Sequence, residues 1–158
     1  MIVITLVSAM LAAPVPATPE GKPVEFIRHL GHFEKNNSGL KGDVSQLVFG
    51  DAEAFGKVFA PVPPLMGKGN NKPNPVKMDA FEKSIVVATI TRASAVTTYS
   101  DVSTKVADGT LIVTYTATID PPGTATFASP LILSVPKDGI KRVVFATNGK
   151  ESAPIEVK

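Results

Sequence analysis

Between residues 110 and 119 the chain alternates almost without a break. Leu111, Val113, Tyr115, Ala117 and Ile119 fall on one face, and Thr110, Thr114, Thr116 and Thr118 on the other. A period of two is the pattern of a half-buried β-strand. Residues 99–106 form the preceding strand, and Asp108-Gly109 stands between the two. A tight hairpin needs positive φ at both turn residues, which Asp and Gly tolerate, so this pair of strands is predicted to fold back on itself. Residues 84–91 are nearly continuously apolar, which predicts a central strand covered on both faces. Further strands are predicted at 24–28, 44–49, 130–135 and 142–147. Asn148-Gly149 turns the last of these into a partner at 155–158.

One helix is predicted, over 51–60. Asp51 is placed as its N-cap, Glu53 lies in its first turn, and Phe55, Val58 and Phe59 share one face. Pro61 is expected to end it, because a proline pushes the residue before it out of the α region. Residues 31–42 read as a polar loop, and 61–75, with five prolines, as a long surface loop within one domain. The expected fold is mainly β: an antiparallel sandwich- or barrel-like sheet of about eight short strands with one short helix.

Composition narrows the functional classes. Hydrophobic residues make up 44% and charged residues 19% of the 158, which is the balance of an ordered β protein. A net charge of +2 with scattered lysines is too weak for a nucleic-acid footprint, and 6% aromatics without Trp give no base-stacking platform. There is no cysteine, so disulfides and thiolate chemistry are excluded. Residues 2–13 are an apolar run too short to span a bilayer, which needs about 20 residues. Small residues and prolines follow, so 1–17 reads as a signal peptide cut after Ala17, leaving a single β-rich domain at 18–158. No Lys or Arg precedes the run, and a buried strand is the alternative. The expected location is therefore exported, periplasmic or extracellular, in a bacterial envelope, with no membrane span.

Motifs for chemistry are missing. His29 and His32 have an His-x-x-His spacing, but no third His and no Cys completes a zinc set, so they are read as surface histidines and no metal is expected. A Ser-His-Asp triad would have to recruit one of them to a distant serine, and no nucleophile-elbow motif points to one. Gly67-Lys68-Gly69 lacks the remainder of a phosphate loop. Asp101, Asp108, Asp120 and Asp138 fall at turns or strand ends, where Asp bonds its own backbone. The eight phenylalanines are spread as core residues would be. No catalytic residue, cofactor or enzymatic activity is expected. One segment offers a contact surface: 93–99, where Thr97, Thr98 and Tyr99 are the candidate partner-binding residues.

The order of these features resembles the PrcB C-terminal domain family, secreted proteins named for an accessory subunit of a bacterial surface protease complex. The matching stretches are Asn37-Ser38-Gly39, 51–59, 81–87, Thr97-Thr98-Tyr99-Ser100, Leu111-Ile112-Val113-Thr114 and 129–136. Two departures stand out: Ala80 separates Asp79 from Phe81, and no glycine precedes Tyr99. The resemblance implies a non-catalytic domain that binds or stabilises an envelope or secreted protein, such as a protease. Two alternatives compete with that expectation. One is a protease inhibitor acting through loop 93–99, whose Thr-Thr-Tyr run resembles the Thr-Thr-Gly-Tyr loop of chagasin-type inhibitors. The other is a hydrolase with an unrecognised site.

Overall fold

The computed structural model describes residues 21–63, 73–121 and 123–157. The expected signal peptide and residues 64–72 of the proline-rich loop lie outside them. In chain order the strands are β1 (Lys22–Pro23), β2 (Ile27–His29), β3 (His32–Glu34), β4 (Val44–Phe49), β5 (Phe59–Pro61), β6 (Ser84–Ala93) and β7 (Thr97–Ala107). They continue as β8 (Thr110–Ile119), β9 (Phe127–Pro136), β10 (Arg142–Thr147), β11 (Lys150–Glu151) and β12 (Ile155–Glu156). Helix α1 (Ala52–Val58) precedes β5, and a 3-10 helix (Met78–Glu82) precedes β6.

The fold is mainly β, and two sheets carry it. The first runs β1-β7-β8-β10-β11, with β12 pairing farther back along β10; the second runs β2-β9-β6-β4. The two-stranded ribbon β3–β5 stands apart from both. The Asp108-Gly109 hairpin forms as predicted; Asn148-Gly149 also turns the chain back, but its immediate partner is β11, and the strand expected at 155–158 pairs separately, as β12, with Arg142 and Val143. Ala107 pairs with Thr110 across Asp108-Gly109 (φ +49° and +72°), and Thr147 with Lys150 across Asn148-Gly149 (φ +50° and +80°). Positive φ at both turn positions matches the right-handed twist of the flanking strands. One pairing departs from the antiparallel expectation: β10 lies parallel to β8, from Arg142 opposite Thr110 to Thr147 opposite Tyr115. The chain leaves β8, crosses to the second sheet as β9, and returns beside β8 in the same direction.

The central strands of the second sheet, β6 and β9, are buried on both faces. Ile85, Val87, Leu131, Leu133 and Val135 meet Leu111, Val113, Tyr115, Val143 and Phe145 of the first sheet. The alternate residues Val86, Ala88, Ile90 and Ile132 face a second core of Phe49, Phe55, Val58, Phe59, Val76 and Phe81. Each such buried aliphatic side chain stabilises the fold by about 1.5–3 kcal/mol relative to exposure. The near-continuous apolar run of β6 is thus explained: one set of residues serves each core.

The third layer differs from expectation in three places. Asp51 caps α1 as predicted, its Oδ1 accepting from Ala54 N at 2.7 Å. The helix, however, ends at Val58, not at residue 60. Phe59 is already extended (φ −113°, ψ 147°), because Phe59–Pro61 leaves as β5 to pair with β3. That partner strand lies inside the segment read as a polar loop. It is fixed by Glu34, whose carboxylate receives Arg92 Nη2 at 2.7 Å and Nε at 2.8 Å, with Ser38 Oγ also donating at 2.7 Å. Finally, Phe33 and Phe127 are exposed and not in a core.

Gly31 joins β2 to β3 at φ +84°, and a Cβ there would sit 2.9 Å from Pro73 Cβ. Gly39, at φ +75°, has nothing within 4 Å. Gly31→Ala is expected to cost about 2 kcal/mol or more, and Gly39→Ala about 1 kcal/mol. Urea midpoints of the two variants check this: equal losses would show that the approach to Pro73 is unimportant.

Candidate functional site

Two places in the fold bring chemistry-bearing residues together, at opposite ends of β6 and β9. The first is a cleft of about 460 Å³ beside the start of β6, lined by Ile27, His29, Pro75, Lys77, Lys83 and Ser134 among others. β2 and β9 are paired with Ile27 opposite Ser134 and His29 opposite Ile132, so His29 reaches diagonally to Ser134. His29 Nε2 lies 2.6 Å from Ser134 Oγ, across 105 residues of chain. Its Nδ1 lies 3.1 Å from the carbonyl oxygen of Asn74. A carbonyl only accepts, so Nδ1 carries the proton and donates, and Nε2 accepts from the Ser134 hydroxyl. Asn74 is itself tied to Leu30 by a pair of backbone bonds and to the Arg28 carbonyl by its side chain.

The surface placement expected for the histidines is corrected here. Both are buried. His32 packs edge-on against Phe55, with ring centroids 5.3 Å apart, and its Nδ1 has no hydrogen-bond partner among the described residues. Burial holds the His29 imidazole below its ordinary value, with the Asn74 carbonyl bond opposing. Burial and then the neighbouring His29 do the same for His32. Among the described residues no group of three or more His, Cys, Asp or Glu is placed to hold a metal ion.

The second place is the rim where β6 turns into β7. Val44, Thr91, Ala93, Ser94 and Ile119 line an open hollow there. Phe127 stands opposite Ala93 in the β6–β9 ladder, and Val96 accepts a backbone bond from Asp120, next to Ile119. Val44, Val96, Ile119 and Phe127 are each 42–54% exposed. Four large apolar side chains from both sheets therefore share one end of the sandwich.

The predicted contact residues border this rim but only partly face it. The connection between β6 and β7 is residues 94–96, and Thr97, Thr98 and Tyr99 belong to β7. Alternation turns Thr97 and Tyr99 inward and leaves Thr98 exposed. Tyr99 is 5% exposed, donates to the Ser129 carbonyl at 2.7 Å, and meets Tyr115 edge-on at 5.7 Å. Its role is to close the core, and its hydroxyl is satisfied there. Farther along β7 the ladder shifts between Ser100 and Ser103, with Asp101 at φ +51°. A bulge of this kind bends an edge strand away from further pairing.

No family model, curated protein or solved structure matches this chain. Among the described residues no helix is long and apolar enough to cross a membrane.

Two outcomes follow from this geometry. Tyr99→Ala is expected to destabilise the domain by about 3–5 kcal/mol, read from urea denaturation, since it removes a buried aromatic. The histidines set an acid limb. A base whose folded pKa is depressed is protonated first in the unfolded chain, so stability is complete above the ordinary value of 6.5 and is lost as pH falls below it. The urea midpoint should fall from about pH 7.5 to about pH 5. His32→Leu, which removes a buried atom without a partner, should flatten that fall without loss of stability at neutral pH.

Proposed function

We infer that this is a protein-binding domain that docks an exported partner on the rim formed by Val44, Val96, Thr98, Ile119 and Phe127. The observation that carries this reading is the gathering of four exposed large apolar side chains, from both sheets, at one end of the sandwich. Scattered single apolar residues are ordinary on a protein surface, whereas a contiguous group marks a contact site. Rigidity supports the same reading. Val44, Thr98, Ile119 and Phe127 sit at or near the ends of paired strands, and Val96 lies in the three-residue connection between two of them, so little ordering entropy is lost on docking. The resemblance to the PrcB C-terminal domain family adds the kind of partner, a secreted or surface protease that the domain binds or stabilises. It also carries the location, outside the cytoplasm, and a non-catalytic role for the rim. The inhibitor alternative has less to stand on, because the 94–96 connection is three residues long and is no extended wedge.

The test pairs the domain with two rim variants, Val96→Asp and Phe127→Asp, both at exposed positions where folding should be kept. Immobilised wild type and variants are presented with the secreted and envelope fraction. A protease or envelope protein held by wild type and weakened about tenfold or more by each variant supports the reading. Retention that is identical across the three would remove the rim from the account.

A further inference from the structure

The cleft at the other end of β6 and β9 carries more than a binding surface needs. Ser134 and His29 meet at 2.6 Å, with the imidazole held in one tautomer by the Asn74 carbonyl at 3.1 Å. In the ladder Ser134 stands between Val86 and Ile27, and His29 stands opposite Ile132, so the two polar side chains meet within an otherwise apolar stretch of the sheet. Both side chains line the cleft, though only 7% of His29 and 4% of Ser134 is exposed, and Ile27, Pro75, Ala80, Lys77 and Lys83 line it beside them. Asp79 and Glu82 share the outer wall. The arrangement has the parts of a nucleophile, a base and an orienter of that base.

We propose that Ser134 is a nucleophile and His29 its general base, and that the cleft accepts small uncharged carboxylic esters. This goes beyond the binding role of the rim, and the two stand or fall separately. Ser134 Oγ attacks the ester carbonyl carbon while its proton passes to His29 Nε2. The bond from that carbon to the alkoxy oxygen breaks, and the departing alkoxide takes the proton from Nε2 to leave as the alcohol. Water then attacks the acyl carbon, giving its proton to Nε2. The bond from the acyl carbon to Ser134 Oγ then breaks, the acid departs, and the proton passes from Nε2 back to Ser134 Oγ. The sum is ester plus water to acid plus alcohol, with no oxidant or metal involved. Lys77 and Lys83 are the cations on the cleft wall available to the oxyanion that develops in each half.

The third member sets the character of the reaction. The Asn74 carbonyl orients the ring but brings no negative charge, so it supports the imidazolium less than a carboxylate would. Burial keeps the ring neutral at pH 7, which leaves Nε2 free to accept. Ester hydrolysis should therefore rise with pH through a value below 6.5 and be level above it.

The experiment exposes the full chain to a fluorophosphonate and maps the adduct by peptide mass spectrometry, alongside hydrolysis of p-nitrophenyl butyrate. Phosphonylation confined to Ser134, and slowed about a hundredfold by His29→Gln, is the expected result. Ser134→Ala should remove p-nitrophenyl butyrate hydrolysis down to the level given by free lysine side chains. No adduct on wild-type Ser134 under conditions that label a serine esterase would overturn the proposal. That outcome does not depend on any variant folding. Hydrolysis that persists unchanged in a folded Ser134→Ala variant would overturn it as well. A binding-only domain, with the Ser134–His29 bond acting purely as a fastening, gives the first of these results.

Discussion

The structure depends on burying the two central strands of one four-stranded sheet on both faces. Strands in that position have no solvent side, so β6 and β9 must be apolar at successive positions instead of alternate ones. They also need a cover for each face. The first sheet supplies one, and the layer of α1, β3, β5 and the 3-10 helix supplies the other. Much that is local follows from this. The helix is short because its last turn must release Phe59 into the aromatic group with Phe49 and Phe55. The segment after β2 is pulled into a ribbon because its residues have a core to cover.

Polar groups at the edges of this arrangement fix how the layers sit. The Glu34–Arg92 pair is bidentate and mostly buried, and Arg92 also donates to the Gly42 carbonyl and to Ser45 Oγ. Burial works to raise the Glu34 carboxyl, but the Arg92 and Ser38 hydrogen bonds and the Arg92 charge outweigh it and hold it below its ordinary value. The same guanidinium thus pins β3, the 35–42 loop and the end of β6 together. Breaking such a pair from one side leaves a charge without compensation, which is why the outer layer and the sheet behave as one unit. Tyr99 and Tyr115 play the matching part between the sheets, their hydroxyls bonded to Ser129, Thr91 and Thr89.

Local pattern was a good guide wherever the physics is local. The alternation of 110–119, the Asp108-Gly109 and Asn148-Gly149 turns and the Asp51 cap each depend on a few adjacent residues, and each is found as read. The doubly buried β6 was legible for the same reason. What escaped the sequence is non-local. Whether β10 runs parallel or antiparallel to β8 depends on a crossover through the other sheet, which no window of residues records. His29 looked like a loop residue because its burial comes from Asn74 and Ser134, 45 and 105 positions away. A lone serine within the apolar run 131–135 was the one available signal that a polar partner waits there. Tyr99 was readable as a strand residue from the inward parity it shares with Thr97, and Phe127 as exposed only once its end of β9 was known to reach the rim.

The parallel pairing of β8 with β10 has a consequence for how the chain comes to be folded. β10 is the strand through which the last part of the sequence enters the first sheet, and Val143 and Phe145 fill the middle of the core between the sheets. β8 cannot gain that neighbour until the intervening strand has docked elsewhere and the chain has come back. Until β10 arrives, the β7–β8 hairpin is left with an open edge and an incomplete apolar face. Such a topology delays commitment, since β10 can join β8 only after β9 has crossed to the other sheet and the chain has returned. A nascent chain of this design therefore stays loose until β10 has emerged, and that strand with its short partners β11 and β12 acts as the latch.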